Sequence, residues 1–349
     1  MAQELTSLSA SWILGIPLAE PERLFSRDEA TAKHESRKLA SFWHPDRNKD
    51  AQATEVLQWI QRLFSAAEEK RAAGTWETPG LRVIQDVRGA TFELAFARRH
   101  TVDIGTLYVG RTVFAFEVAA ADMDLADAAL DQLKSLTYAT PEMEQEFARY
   151  FPTLLRRVDT ATGCVLVFQK TQDLLLLQDV LTHFKGKMPP RHVAWIISRL
   201  LNIACYLERQ AKVAHNGIGL DSVFISPQHH SATLFGGWWF ATGLGQPLRA
   251  LSGTASLYAP PDILQKKQGD SRMDVELIKA LGRTLLGDAS GVKLATDSAV
   301  PPALVNWLDL SSSQDAVSTF KTWQSRVLLD AFGQRRFEEL ALSHTDIYV

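Results

Sequence analysis

The chain has 349 residues, 46% of them hydrophobic and 22% charged, with 37 basic and 40 acidic side chains and a net charge of −3. This length predicts two or three domains and this composition a soluble globular protein, while the charge leaves no bulk basic field for nucleic acid. Cys164 and Cys205 are the only cysteines, which speaks against a zinc-finger type of site and for free thiols in a reducing compartment.

The opening MAQELTSLSASW has no basic stretch followed by a long apolar run, so it does not read as a secretory signal. The longest apolar segment, HVAWIISRLLNIACYLE, is broken by Arg199 and Asn202 and is too short and polar to span a bilayer. A cytoplasmic protein without a membrane or nucleic-acid partner is expected.

A basic helix is predicted over RDEATAKHESRKLASFW, and a second amphipathic helix over AQATEVLQWIQRLFSAAEEKR. In the second, Val56, Leu57, Ile60, Leu63, Phe64 and Ala67 recur at spacings of three and four, giving one apolar stripe. Leu39, Phe42 and Trp43 of the first can meet that stripe, forming an antiparallel hairpin. So small a unit needs a third element, and Ser11-Trp12-Ile13-Leu14-Gly15-Ile16 can supply it. His44, Pro45 and Asp46 lie between the helices, followed by Arg47. Pro45 fixes its own φ and holds His44 extended, so the tripeptide should form a stiff tip presenting Asp46 at little ordering cost. Lys33, Arg37 and Lys38 precede the tip on one helix side.

A His-Pro-Asp loop between two such helices, with basic residues before it and an Ile-Leu-Gly opening upstream, resembles the J-domain of DnaJ-like co-chaperones. The resemblance implies that Lys33, Arg37, Lys38, Arg47 and the loop dock on an acidic face of a DnaK-type chaperone, where the loop aspartate favours ATP hydrolysis. Two departures bear on partner choice. The stretch between Gly15 and Lys33 is longer than usual, and Glu35 and Ser36 replace an apolar and an aromatic residue common in that helix.

After Arg71, Gly74, Pro79 and Gly80 mark a linker. From Leu81, short segments rich in β-branched and aromatic residues predict strands: LRVIQDV, TFELAFARR, TLYVG and TVFAFEV. DLADAALDQLKSL predicts a helix, ATGCVLVFQK a strand, and the chain from Gln172 is expected to be mostly helical. Strands first and helices second predict an α+β arrangement of two lobes.

The order of motifs over roughly 81–335 resembles the protein-kinase fold. TVFAFEV is similar to the strand carrying the kinase lysine, HVAWIISRLLNIACYLERQAKVAHNGIGLDSVFI to the long helix and catalytic loop, and ATLFGGWWFA to the Asp-Phe-Gly segment. Leu257-Tyr258-Ala259-Pro260-Pro261-Asp262 is similar to the end of the activation segment. On this resemblance Glu117 stands at the lysine and Ala129 near its glutamate partner. Gly217 stands at the catalytic aspartate, Gly219 at the loop lysine, Ser222 at the metal-binding asparagine and Gly236 at the metal-binding aspartate. Phosphoryl transfer needs a cation on the phosphates and carboxylates on the metal ions, and Glu117 would repel phosphates. His215 and Asp274 survive, and in kinases both mainly brace the catalytic loop. The resemblance thus implies a pseudokinase without catalytic residues, cofactor or metal.

Other residues admit weaker functional readings. His229-His230 beside Gln228 and Ser231 reads as a surface turn rather than a metal site, lacking a third ligand. Trp238, Trp239 and Phe240 read either as core or as anchors for a partner. Lys266-Lys267 and Arg156-Arg157 read as surface, and Cys164 as packing.

The expected organisation is an all-α J-domain at 1–73, a linker at 74–80, a two-lobed kinase-like domain at 81–335 and a tail at 336–349. The first lobe should cover about 81–170 and the second about 171–335. The expected function is recruitment and stimulation of a DnaK-type ATPase, with the second domain holding an unidentified client or partner. The rival expectations are an atypical nucleotide-dependent transferase and a decoy that sequesters the chaperone.

Overall fold

A computed structural model of the chain describes residues 5–311, 313–334 and 336–348. The start of the apolar-poor opening, the expected domain end at position 335 and the last residue of the expected tail lie outside the described residues. The chain divides into two units: one runs up to Ile84 and adds Thr91–Ala95, and the other takes Gln85–Ala90 and everything from Phe96.

The first unit is built on three helices, α1 (Ala10–Leu14), α2 (Glu29–Phe42) and α3 (Ala53–Ala72). The Ser9 hydroxyl caps α1 by accepting from the Trp12 amide, and the Asp28 carboxylate caps α2 by accepting from Thr31. Ala53, Val56, Ile60, Leu63 and Ala67 of α3 are buried, as the three–four spacing predicts, against Ile13, Ile16, Leu39 and Trp43. Phe42 departs from expectation: it is exposed, and Leu39 and Trp43, one helical turn apart, fill the seam with Ala32.

The longer stretch before α2 is tied down at several points. Glu35 accepts from both the amide and the hydroxyl of Ser26, at 2.7 and 2.5 Å. Lys70 pairs with buried Glu22 at 2.5 Å, Arg71 donates to the Ser26 carbonyl, and the Trp59 indole donates to the Ile16 carbonyl. Glu35 thus anchors the stretch before α2.

The expected fold class needs correction at both ends. The first unit is not all-α, because strands β1 (Leu81–Gln85) and β2 (Thr91–Ala95) pair as a two-stranded sheet whose residues 81–84 and 91–95 cluster with the helices. Nor does the second unit separate into a strand-rich and a helix-rich lobe. Its first part is a five-stranded antiparallel sheet, in order β3 (Arg98–Val102), β4 (Gly105–Val109), β5 (Val113–Ala119), β7 (Gly163–Gln169), β6 (Thr153–Thr160). Helices α4 (Met123–Lys134) and α5 (Pro141–Phe147) lie between β5 and β6 in sequence.

Strands then continue among the helices. β8 (Leu175–Leu176) precedes α6 (Leu177–His183) and α7 (Pro190–Tyr206). β9 (Val213–Ala214), β10 (Val223–Ser226), β11 (Ser231–Leu234) and β12 (Thr242–Gly243) follow, then α8 (Gly253–Tyr258), α9 (Pro261–Lys266) and α10 (Ser271–Leu285). The chain ends with α11 (Pro302–Asp309), α12 (Ala316–Thr322), α13 (Leu328–Phe332) and α14 (His344–Ile347). One apolar core runs from Val102 to Tyr348 and includes both the five-stranded sheet and α10. The physical reason is aromatic filling. Phe114 on β5 stacks on Phe168 of β7 and on Phe235 beyond β11, with centroids 5.1 Å apart in both cases. Phe116 meets Trp239 edge-on at 4.8 Å. Rings join the sheet to the segment 235–239 where two lobes were expected to part.

Among the described residues no helix is long and apolar enough to cross a membrane.

Candidate functional site

The loop between α2 and α3 presents His44, Pro45, Asp46 and Arg47, all exposed. The turn is held by its own chain. The amides of Arg47 and Asn48 donate to the His44 carbonyl at 2.9 and 2.8 Å, and the Asp46 amide donates to His44 Nδ1 at 3.3 Å. The Asp46 carboxylate is left facing water, 3.6 Å from the same ring nitrogen. Arg47 reaches back to the Ser41 hydroxyl at 2.8 Å, which ties the loop to the end of α2.

A groove of about 890 Å³ opens along that end of α2, lined by His34, Arg37, Lys38, Phe42, Arg47 and Lys49 among others. His34, Arg37, Lys38 and Ser41 share one helix face by their spacing of three, four and seven. The structure therefore brings Arg37, Lys38 and Arg47 together as expected. It leaves Lys33 outside the groove, paired with Glu29 one turn away. Sequence reasoning missed Phe42 and Lys49. Phe42 gives the groove an apolar wall, and its spacing from Leu39 was equally compatible with the core. Lys49 was hidden in a polar turn.

The positions singled out in the second unit are held quite differently. Glu117, midway along β5, accepts from the Tyr108 hydroxyl on the neighbouring strand at 2.8 Å. His215 and Asn216 donate their backbone amides to the Asp274 carboxylate at 2.9 and 2.8 Å. Both Asp274 and His215 are wholly buried. Burial pushes Asp274 up to about 7 and His215 down to about 3. The Ser222 hydroxyl closes a local turn, accepting from the Gly219 amide and donating to its carbonyl. Ala129 is buried in the core on α4.

Gly217 and Gly236 are glycines because nothing larger fits. A Cβ at 217 would stand 2.6 Å from the Gly237 carbonyl oxygen. One at 236 would stand 2.9 Å from the Ser222 Cα and 3.0 Å from the Asp221 carbonyl oxygen. Neither position can carry an aspartate without moving backbone. Trp238, Trp239 and Phe240 are 2%, 5% and 4% exposed. Trp238 packs on the His215 ring and donates to the Leu234 carbonyl. These three rings are core, so the reading of them as anchors for a partner is corrected: they have no face left to offer.

His229-His230 forms the β10–β11 turn, as expected. Among the described residues no group of three His, Cys, Asp or Glu side chains is placed to hold a metal ion. Cys164 and Cys205 are unpaired thiols, and burial pushes both up, Cys205 to about 12, away from thiolate chemistry. No family model matches the chain, and no curated protein matches it.

Proposed function

We propose that this protein is a co-chaperone acting in the cytoplasm, whose first unit recruits a DnaK-type chaperone and stimulates its ATPase while the second unit binds a client or partner. The observation that carries the reading is the His44-Pro45-Asp46 tip, exposed, braced by its own backbone and set beside a basic groove. An exposed carboxylate on a stiff tip does little for the stability of its own domain and loses little freedom on docking. The groove's cations suit an acidic partner surface, and charge complementarity of this kind speeds encounter. The second unit is read as non-catalytic, because the positions that would bear carboxylates and a phosphate-binding cation carry Gly217, Gly236 and Glu117.

Single-turnover ATP hydrolysis by the chaperone, with and without this protein, tests the proposal. Wild type is expected to accelerate the turnover and Asp46→Asn to lose the acceleration while melting at the same temperature. Equal stimulation by the two proteins, or inhibition by wild type, would overturn it.

A further inference from the structure

Three aromatic rings stand in a row on the second unit, away from the filled region around Trp239. The His230 ring lies flat against Trp195 of α7 at 4.9 Å and flat against Phe337 at 4.4 Å. His230 sits at φ 45°, a left-handed backbone uncommon outside glycine, although histidine adopts it more readily than most residues. Arg199 holds that backbone by donating to the His230 carbonyl at 2.8 Å. Phe337, the outermost ring, is 74% exposed.

The stack edges a cavity of about 580 Å³ that Arg191, Arg199 and Arg336 also line. A second cavity of about 670 Å³, lined in part by Arg149 and Lys170, shares Arg199 and His230 with the first. The two cavities adjoin at the β10–β11 turn. Their walls carry four arginines against three carboxylates, Arg191 being paired with Glu338 at 3.4 Å, while the buried Lys170 ammonium is taken up by the carbonyls of Arg111, Thr171 and Leu174. Trp195 Nε1 and His230 Nε2 are buried and have no hydrogen-bond partner among the described residues. Unmet polar atoms of this kind gain from a ligand that supplies the missing bonds.

We infer that these cavities bind a short acidic peptide segment of a partner protein, with an aromatic side chain of the peptide laid on the open face of Phe337. The surplus of arginines selects for carboxylates, and the exposed ring offers the flat apolar anchor typical of peptide contacts. The unmet indole N–H suits a peptide carbonyl or carboxylate, and two cavities side by side suit an extended chain. The inference rests on reading the second unit as the partner-binding half, and names the chemistry of what it binds.

The test uses the full-length protein and three labelled peptides followed by fluorescence anisotropy. One is acidic with a central phenylalanine, one has alanine in that place, and one is basic, with lysine replacing each acid. The first is expected to bind saturably and to weaken with salt, and the other two to bind poorly. Phe337→Ala and Arg336→Glu change exposed residues. Each should weaken binding roughly tenfold without lowering the melting temperature. No saturable binding, equal binding of the basic peptide, or affinity unchanged in both variants would overturn the inference. So would complete displacement by free benzoate at the peptide's own affinity, which would assign the cavity to a small molecule. The assay contains no chaperone, and Asp46→Asn should bind the peptide like wild type, so its outcome is independent of the ATPase result.

Discussion

His44 and Asp46 face each other 3.6 Å apart with side chains 48% and 86% exposed, whereas His215 and Asp274 are 0% and 1% exposed and are linked through the protein backbone. In water such a pairing stabilises its own fold little, so the residues of the first pair are free to be chosen for what they present to a partner. In the core the same residue types become structural. The Asp274 carboxylate satisfies two buried amides, and the His215 ring packs on Trp238. Chemical identity alone therefore says little about role here; burial decides it.

The harshest way to break this contrast is to place a further carboxylate in the core. Gly236→Asp would press a Cβ into the Ser222 and Asp221 backbone and bring a charge beside Phe116. An uncompensated buried charge alone costs several kcal/mol, and the backbone must shift as well. Loss of cooperative unfolding of the second unit in calorimetry is expected. A variant melting like wild type would show the site to be more open than the packing indicates.

Next in size is Trp239→Ala, which empties the space against Phe116. Truncating a buried tryptophan costs about 3–5 kcal/mol, and the melting temperature should fall by several degrees or more. Capture of partners by the folded fraction should be unchanged. Intact stability with lost capture would restore the ring to the surface role denied it here.

The buried pair also has a pH signature. Asp274 is raised from 3.8 to about 7, so between those values the folded chain keeps a proton that the unfolded chain releases, and stability falls as pH rises. His215 is lowered from 6.5 to about 3, so over that range the unfolded chain takes up a proton the folded chain refuses, and stability rises with pH. The two slopes oppose each other across the overlap. Asp274→Asn removes the first, so its urea-unfolding stability should climb more steeply from pH 4 to 6.5 than that of wild type. Parallel profiles would mean that Asp274 does not titrate in the folded core.

How far the sequence foretold each region follows the same division. The apolar stripe of α3 and the exposed tripeptide were legible because periodicity and a single proline act locally. The pairing of β1 with β2 in the first unit, and the merging of two expected lobes into one core, depend on which distant rings meet. Phe114 against Phe235 and Phe116 against Trp239 leave no periodic trace in the chain. That positions 117, 217 and 236 hold Glu, Gly and Gly could be read directly, but that Gly217 and Gly236 have no room for a side chain could not. Nor could the row of Trp195, His230 and Phe337, whose members come from a helix, a turn and the chain's last segment.

The smallest structural effect should come from reversing charge on α2, and it sharpens the comparison from the exposed side. Arg37 and Lys38 line the groove, are exposed and lie well clear of the buried seam of Leu39 and Trp43. Substituting both by Glu should change stability by no more than about 0.5 kcal/mol each, as surface changes usually do. Its effect should instead be kinetic. Exposed charges act over a screening length of about 10 Å at 0.1 M salt, so association with the chaperone should slow strongly at low salt and converge with wild type as salt rises, with dissociation little altered. Lys33→Glu gives an internal control, because Lys33 lies outside the groove and pairs with Glu29; its on-rate should fall less. Stopped-flow association at two salt concentrations reads all three proteins, and an on-rate indifferent to Arg37 and Lys38 would place the docking surface elsewhere on the first unit.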